Sequence, residues 1–259
     1  MDFTSEIDTD GVSERGFTLD GVPGVLWQPA GPPLGGRPLV LLGHGGGGSS
    51  RTVEERARRC VVRYGYAAVA LDAPGHGERP RSAQDERFVT EIGELLAARR
   101  PISAWVARHT AALAERAVPE WVAVLDALQG PDAPYGPDTP GRPDAPDAPY
   151  GPVGFWGLSL GSVVGIPLAA AEPRITAAVF GLTGHTAQTE AAERVGVPLE
   201  FVLQWDDELV PREGALALFG AFGSGEKTLH ANPGGHLEVP DFEVEASEGF
   251  LVRHLGIPE

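Results

Sequence analysis

Apolar and polar positions change rhythm along the chain, and each change marks an element. Gly16–Leu19 and Val22–Trp27 read as strands, and Pro38–Gly43 (PLVLLG) is apolar throughout, as in a strand buried on both faces. A helical pattern follows from about Thr52 through Cys60, Val61 and Tyr64 to Gly65, with Thr52 and Glu55 spaced for a capping box. Ala67–Leu71 is again apolar, so the order strand, helix, strand predicts a parallel sheet.

Phe88, Ile92, Leu95 and Leu96 share one helical face before Pro101. Trp105–Val118 forms a second amphipathic stretch that Pro119 is expected to end, and Trp121, Val124, Leu125 and Leu128 mark another helix. So much helix between two strands reads either as a small helical cover over 79–118 or as ordinary crossover helices. Residues 130–152 are dense in Pro, Gly and Asp, and PDAPYGP occurs there twice, from Pro131 and from Pro146. That composition predicts an extended loop. PVGFW (Pro152–Trp156) is then a buried strand running into GLSLG (Gly157–Gly161), and the apolar SVVGIPLAAA behind it is helical. Ile175–Gly181, Pro198–Trp205 and Glu226–His230 read as later strands, with helices near Arg212–Phe222 and Phe242–Leu255.

Composition narrows this picture. A chain of 259 residues fits one α/β domain spanning 1–259. With 36 acidic against 20 basic residues and a formal charge of -16, nucleic acid and anionic membrane surfaces are disfavoured as partners. Cys60 is the only cysteine, which excludes an intrachain disulfide and a multi-cysteine zinc site; it reads as a core residue. The N-terminal MDFTSEIDTD lacks a basic start and apolar stretch, and no apolar run is long enough to span a bilayer, so a cytoplasmic location is expected.

G-x-S-x-G alone is weak evidence in a chain with 35 glycines, but its context is strand, tight turn, helix. A serine hydroxyl is a poor nucleophile near neutral pH and needs a base within reach and an acid to orient that base. Downstream, DDELVP closes the Pro198–Trp205 strand, and NPGGH follows the next strand. Upstream stand HGGGG (His44–Gly48) and DAPGHGE (Asp72–Glu78); with no G-K-[ST] and no dinucleotide spacing, the glycines do not suggest nucleotide binding.

With these motifs the chain resembles the α/β-hydrolases over roughly residues 16–256, and within them the dienelactone-hydrolase-like and small serine esterase branch. The resemblance implies a mostly parallel central sheet flanked by helices and a catalytic order of nucleophile, acid, histidine. It assigns Ser159 as nucleophile, Asp207 as acid in preference to Asp206 and Glu208, and His236 as base in preference to His230 and His254. It places oxyanion donors at the N–H of Leu160 and of Gly45 or Gly46, and makes His76 a structural residue near the site. His44, His185 and Trp205 are the candidate substrate-binding residues, with Phe180–His185 and Phe88–Trp105 as candidate pocket segments.

Two departures stand out. Trp205 occupies a position where many relatives have glycine, and Ser159 stands where true dienelactone hydrolases have cysteine, which argues against dienelactone as substrate. The implied activity is cleavage of small carboxylic esters through an acyl-enzyme. Thioesterase, lactonase and acyltransferase activities remain open with the same triad, as does a non-catalytic ligand receptor. No metal or organic cofactor is required, and no cluster of histidine, cysteine and carboxylate is evident in the sequence. Oligomeric state is open.

Overall fold

A computed structural model describes residues 1–31, 35–100, 102–130 and 150–258. Nine strands form one sheet among them: β1 (Asp2–Thr9), β2 (Val12–Leu19), β3 (Val22–Pro29), β4 (Arg37–Gly43), β5 (Ala67–Leu71), β6 (Tyr150–Gly157), β7 (Ile175–Gly181), β8 (Leu199–Gln204) and β9 (Lys227–Asn232). Their order across the sheet is β1-β2-β3-β5-β4-β6-β7-β8-β9. The pairings among β1, β2, β3 and β5 are antiparallel, and those from β5 through β9 are parallel.

The first strand is absent from the sequence reading, although its signal is present. Asp10-Gly11 and Asp20-Gly21 are two-residue hairpin loops whose four residues all have positive φ, at 52°, 77°, 51° and 79°. Asp-Gly is the pair that such a turn favours, and the two turns fold β1, β2 and β3 into a meander.

Among the described residues seven α-helices cover the sheet: α1 (Glu54–Tyr64), α2 (Ala83–Ala97), α3 (Ser103–Gln129), α4 (Leu160–Ala171), α5 (Thr189–Arg194), α6 (Arg212–Ala221) and α7 (Asp241–Leu255). Two buried clusters reflect the period-2 geometry of the strands. Phe155, Phe180 and Phe201 point to the face packed by α3, α4 and α6, whereas Trp156, Val179 and Val202 point to the face packed by α1 and α7. The expectation that Trp156 and Cys60 are core residues agrees with this, since both are buried. No described helix is long and apolar enough to cross a membrane.

Three local expectations are corrected. Thr52 does not cap with Glu55: its hydroxyl donates to Ser49 O at 2.6 Å and accepts the Ser49 N–H at 3.2 Å, closing a 3-10 turn ahead of α1. Pro119 does not end a helix, because α3 runs through it as one helix of 27 residues. Pro119 and Glu115, whose carbonyl loses its partner, are both on the exposed side, so water can satisfy that carbonyl. The opposite face, with Leu113, Ala117, Trp121, Leu125 and Leu128, is buried and holds the helix together. Of the Pro/Gly/Asp-rich stretch 130–152, residues 131–149 lie outside the described residues, and Tyr150–Pro152 open β6 rather than closing a loop.

Restoring the missing donor strengthens α3. Pro119→Ala is expected to raise stability by about 1 kcal/mol, the interior proline's cost being partly offset by the extra freedom alanine has in the unfolded chain. Equilibrium urea unfolding checks this, and a destabilised variant would show that the proline shapes a kink the packing needs.

Candidate active site

The parallel pair β4–β6 positions the first part of the site. Gly43 pairs with Gly157, so the HGGGG loop and the GLSLG turn leave the sheet side by side at its carboxyl edge. Ser159 sits between β6 and α4 at φ 56°, ψ −118°, a left-handed conformation that costs a non-glycine residue about 1–3 kcal/mol. The turn survives because its neighbours carry no side chains. A Cβ on Gly161 would lie 2.7 Å from Gly43 O, and one on Gly157 would lie 2.9 Å from the Gly161 carbonyl carbon.

Further hydrogen bonds hold the turn around the strained serine. Its N–H donates to Gly181 O at 2.9 Å, on the neighbouring β7. The fully buried Ser162 hydroxyl lies 2.6 Å from Gly157 O and 2.8 Å from Gly181 O, and accepts the Gly181 N–H at 2.8 Å. Sequence reasoning passed over Ser162; a serine in the first turn of an otherwise apolar helix is the signal that could have found it.

His236 arrives from the loop after β9. Its Nε2 is 2.9 Å from Ser159 Oγ and its Nδ1 is 2.7 Å from Asp207 Oδ2, so the imidazole joins the two groups directly. The other Asp207 oxygen accepts the N–H groups of Leu209 and Val210, each at 2.8 Å. Burial pushes the Asp207 carboxyl up, but the hydrogen bonds from His236, Val210 and Leu209 outweigh it and leave the group below its ordinary value.

The neighbouring acids hold the histidine loop. Asp206 accepts the Gly234 N–H at 3.3 Å, and Glu208 accepts the His236 N–H at 3.0 Å. Beneath them the buried Gln204 amide donates to the carbonyls of Pro233, Gly235 and Glu238 at 3.2, 3.4 and 2.9 Å. Gln204 was also missed in the sequence, where nothing separates it from any polar residue at a strand end.

Above Ser159 and His236 lies a cavity of about 390 Å³. Phe88, Val89 and Ile92 of α2 and Val106, Thr110 and Leu113 of α3 form one wall; Leu160, Val163, Leu182, Leu209 and Val210 add to its apolar lining. Phe88 stacks between Trp105 and His109, with ring centroids at 4.1 and 3.4 Å, which ties the two helices together. Asp85, at the cavity edge, is occupied by Ser82 at 2.8 Å and Arg116 at 3.3 Å. Burial lowers the pKa of the lining histidines His109 and His185, favouring the neutral imidazoles.

The remaining expected residues divide. Leu160, Gly46 and His185 line the cavity, as does His76. Gly45, His44 and Trp205 are not among its described lining residues. Trp205 is 45% exposed and lies under the Arg212 guanidinium, 4.3 Å from its ring centre. His44 is buried and fully engaged: its Nε2 accepts the Ala73 N–H at 3.0 Å, which leaves Nδ1–H to donate to Gly45 O at 2.8 Å. Burial lowers its pKa and so favours this neutral tautomer. His44 therefore braces the glycine loop against the end of β5. His230 pairs with Glu243, and His254 lies 3.3 Å from Glu226.

Away from the site the structure brings together a histidine and two carboxylates that no spacing in the sequence links. Glu200, His230 and Glu243 converge, because β8, β9 and α7 bring together residues remote in sequence.

Neither a protein-family model nor a curated protein sequence matches the chain. Among solved structures, a cold-adapted esterase from an Arctic intertidal metagenomic library is 34% identical over 98% of this chain and 99% of that one, with a TM-score of 0.73. An esterase of Pyrococcus furiosus (15% identity, 98% and 93% coverage, TM-score 0.60) and an acetyl xylan esterase of Thermoanaerobacterium (15%, 98% and 87%, 0.62) share the fold.

Two outcomes test this geometry. His44→Ala should lower kcat about tenfold to a hundredfold with little change in KM, because a loosened glycine loop weakens charge stabilisation more than ground-state binding. An unchanged kcat would show that the loop needs no brace. The lowered Asp207 pKa also makes folding more favourable above the unfolded carboxyl's value of about 3.9, an advantage lost as pH falls through the folded value. Asp207→Asn should therefore lose stability relative to wild type near neutral pH and approach it in acid, as read by urea unfolding across pH.

Proposed function

The chain belongs to the α/β-hydrolase superfamily and is a carboxylesterase-type hydrolase; we propose that it cleaves esters through Ser159, His236 and Asp207. The observation that carries this reading is the single imidazole spanning Ser159 Oγ and Asp207 Oδ2 at the floor of an apolar cavity. In this mechanism Ser159 Oγ attacks the ester carbonyl while His236 Nε2 takes its proton. Asp207 accepts from Nδ1–H, fixes the tautomer and stabilises the imidazolium.

The tetrahedral oxyanion is bound by the Leu160 N–H, at the start of α4, and by an N–H of the glycine loop. Gly46 fits that second role better than Gly45, because it borders the cavity whereas Gly45 does not. His236 then protonates the departing alcohol, and a water activated by the same imidazole releases the acyl group and restores Ser159.

The cavity supports an uncharged acyl group of short to medium length as substrate. Its walls are mostly aliphatic and aromatic, burial favours neutral imidazoles at His109 and His185, the Asp85 charge is already paired, and the one cationic side chain in the described lining, Arg81, is exposed to solvent. Val106, on the α3 wall, lines this cavity, so added bulk there would shorten the space open to that group.

A series of p-nitrophenyl esters from acetate to laurate, with matching thioesters and lactones, tests the reading. kcat/KM should rise about fourfold per added methylene while the chain still finds apolar wall, then fall. Ser159→Ala and His236→Ala should each remove about 10⁴-fold or more of kcat. Val106→Trp should move the optimum to shorter chains. Full ester turnover by Ser159→Ala would overturn the proposal, and a preference for thioesters or lactones would reassign the leaving group while leaving the triad intact.

A further inference from the structure

Beneath α7, on the sheet face opposite the α3 and α4 side, lies a second group of titratable residues that the ester chemistry does not use. Glu200 on β8 and Glu243 on α7 are 2% and 3% exposed, and His230 on β9 stands between them. Two of the four carboxylate oxygens are tied to neutral donors: Ser247 Oγ–H donates to Glu200 Oε1 at 2.5 Å, and Asn232 Nδ2–H donates to Glu243 Oε2 at 2.7 Å. A third, Glu243 Oε1, accepts His230 Nδ1–H at 2.5 Å.

That last bond decides the chemistry of the ring. With its proton on Nδ1, the imidazole keeps a free lone pair on Nε2, which lies 3.7 Å from Glu200 Oε2. This gap is too long for a hydrogen bond. It is close to the distance of about 3.4 Å at which two ligands stand when bonds of about 2.0–2.1 Å meet at a tetrahedral zinc. Glu243 holds the ring from behind, the carboxylate–histidine–metal arrangement that orients a ligand and raises its basicity. The His230 side chain is 32% exposed, so the group is not sealed from solvent.

We propose that Glu200 Oε2 and His230 Nε2 form a binding site for a divalent ion of the zinc type, with Glu243 orienting the imidazole and water completing the shell. One nitrogen and one carboxylate oxygen suit such an ion better than magnesium or calcium, which take oxygen ligands. The ion compensates two buried carboxylates and links β8 and β9 to α7. Its role is structural, because its ligands lie within the strands, whereas Asp207 and His236 lie in loops beyond their ends.

The test uses the full chain stripped of metal with a chelator. Zinc is titrated by calorimetry and cobalt by its visible absorption, with thermal melting and ester hydrolysis measured in parallel. The proposal expects one ion per chain at this site, a higher melting temperature, and unchanged hydrolysis. Glu200→Gln and His230→Gln should lose the binding event, and Glu243→Gln should weaken it about 10–100-fold. Absence of saturable binding, binding retained in both Glu200→Gln and His230→Gln, or binding lost only in His236→Ala with inhibition of hydrolysis would overturn it. The last result would put the ion in the triad. If the variants fail to fold, a zinc-edge anomalous map of zinc-soaked wild-type crystals decides: a peak between Glu200 and His230 supports the site, and no peak there overturns it.

Discussion

The contact on which the site depends is backbone against backbone, where Gly161 at the start of α4 lies on Gly43 at the end of β4. Only hydrogens separate the helix from the strand there, so α4 can begin immediately after β6 and force Ser159 into its left-handed turn. A side chain at either position would push the helix away and widen the gap between Ser159 and the glycine loop. The strain at Ser159 is local, and the bonds from Ser159 N–H and Ser162 to β7 and β6 counter it. The proposed acyl chemistry would benefit, because an oxygen presented this way needs no rearrangement to meet a carbonyl.

The histidine faces a different problem, since it comes from a loop and must still reach a fixed point. Polar groups at the end of β8 solve it together: Gln204 holds three carbonyls of the His236 loop, Asp206 and Glu208 hold its N–H groups, and Asp207 holds the ring. Three adjacent acids thus do three different jobs. Each bond is modest alone, but all constrain one short loop, so the imidazole position is set by several contacts at once.

Much of this was legible because it is local in sequence. The buried runs PLVLLG and PVGFW, the GLSLG turn, and the order of DDELVP and NPGGH mark the strands and the order of the candidate groups. What escaped depends on partners far along the chain. The sequence does not show that Ala73 and Gly45 occupy both ring nitrogens of His44. Trp205 looks like a pocket residue until its ring is found against Arg212. Pro119 reads as a helix end because sequence shows its missing N–H but not the buried face that holds α3 through it. Glu200, His230 and Glu243 carry no spacing signal; only the pairing of β8 with β9 and the placement of α7 unite them.

The central claim is that turnover passes through an ester on Ser159. Acid-quenching wild-type protein during turnover of p-nitrophenyl butyrate, followed by intact mass and peptide mapping, tests it directly. The account predicts a butyryl adduct on the peptide containing Ser159, absent before substrate is added and gone once substrate is consumed. A butyryl group mapping to another residue, or a burst of p-nitrophenol with no adduct on that peptide, would contradict it.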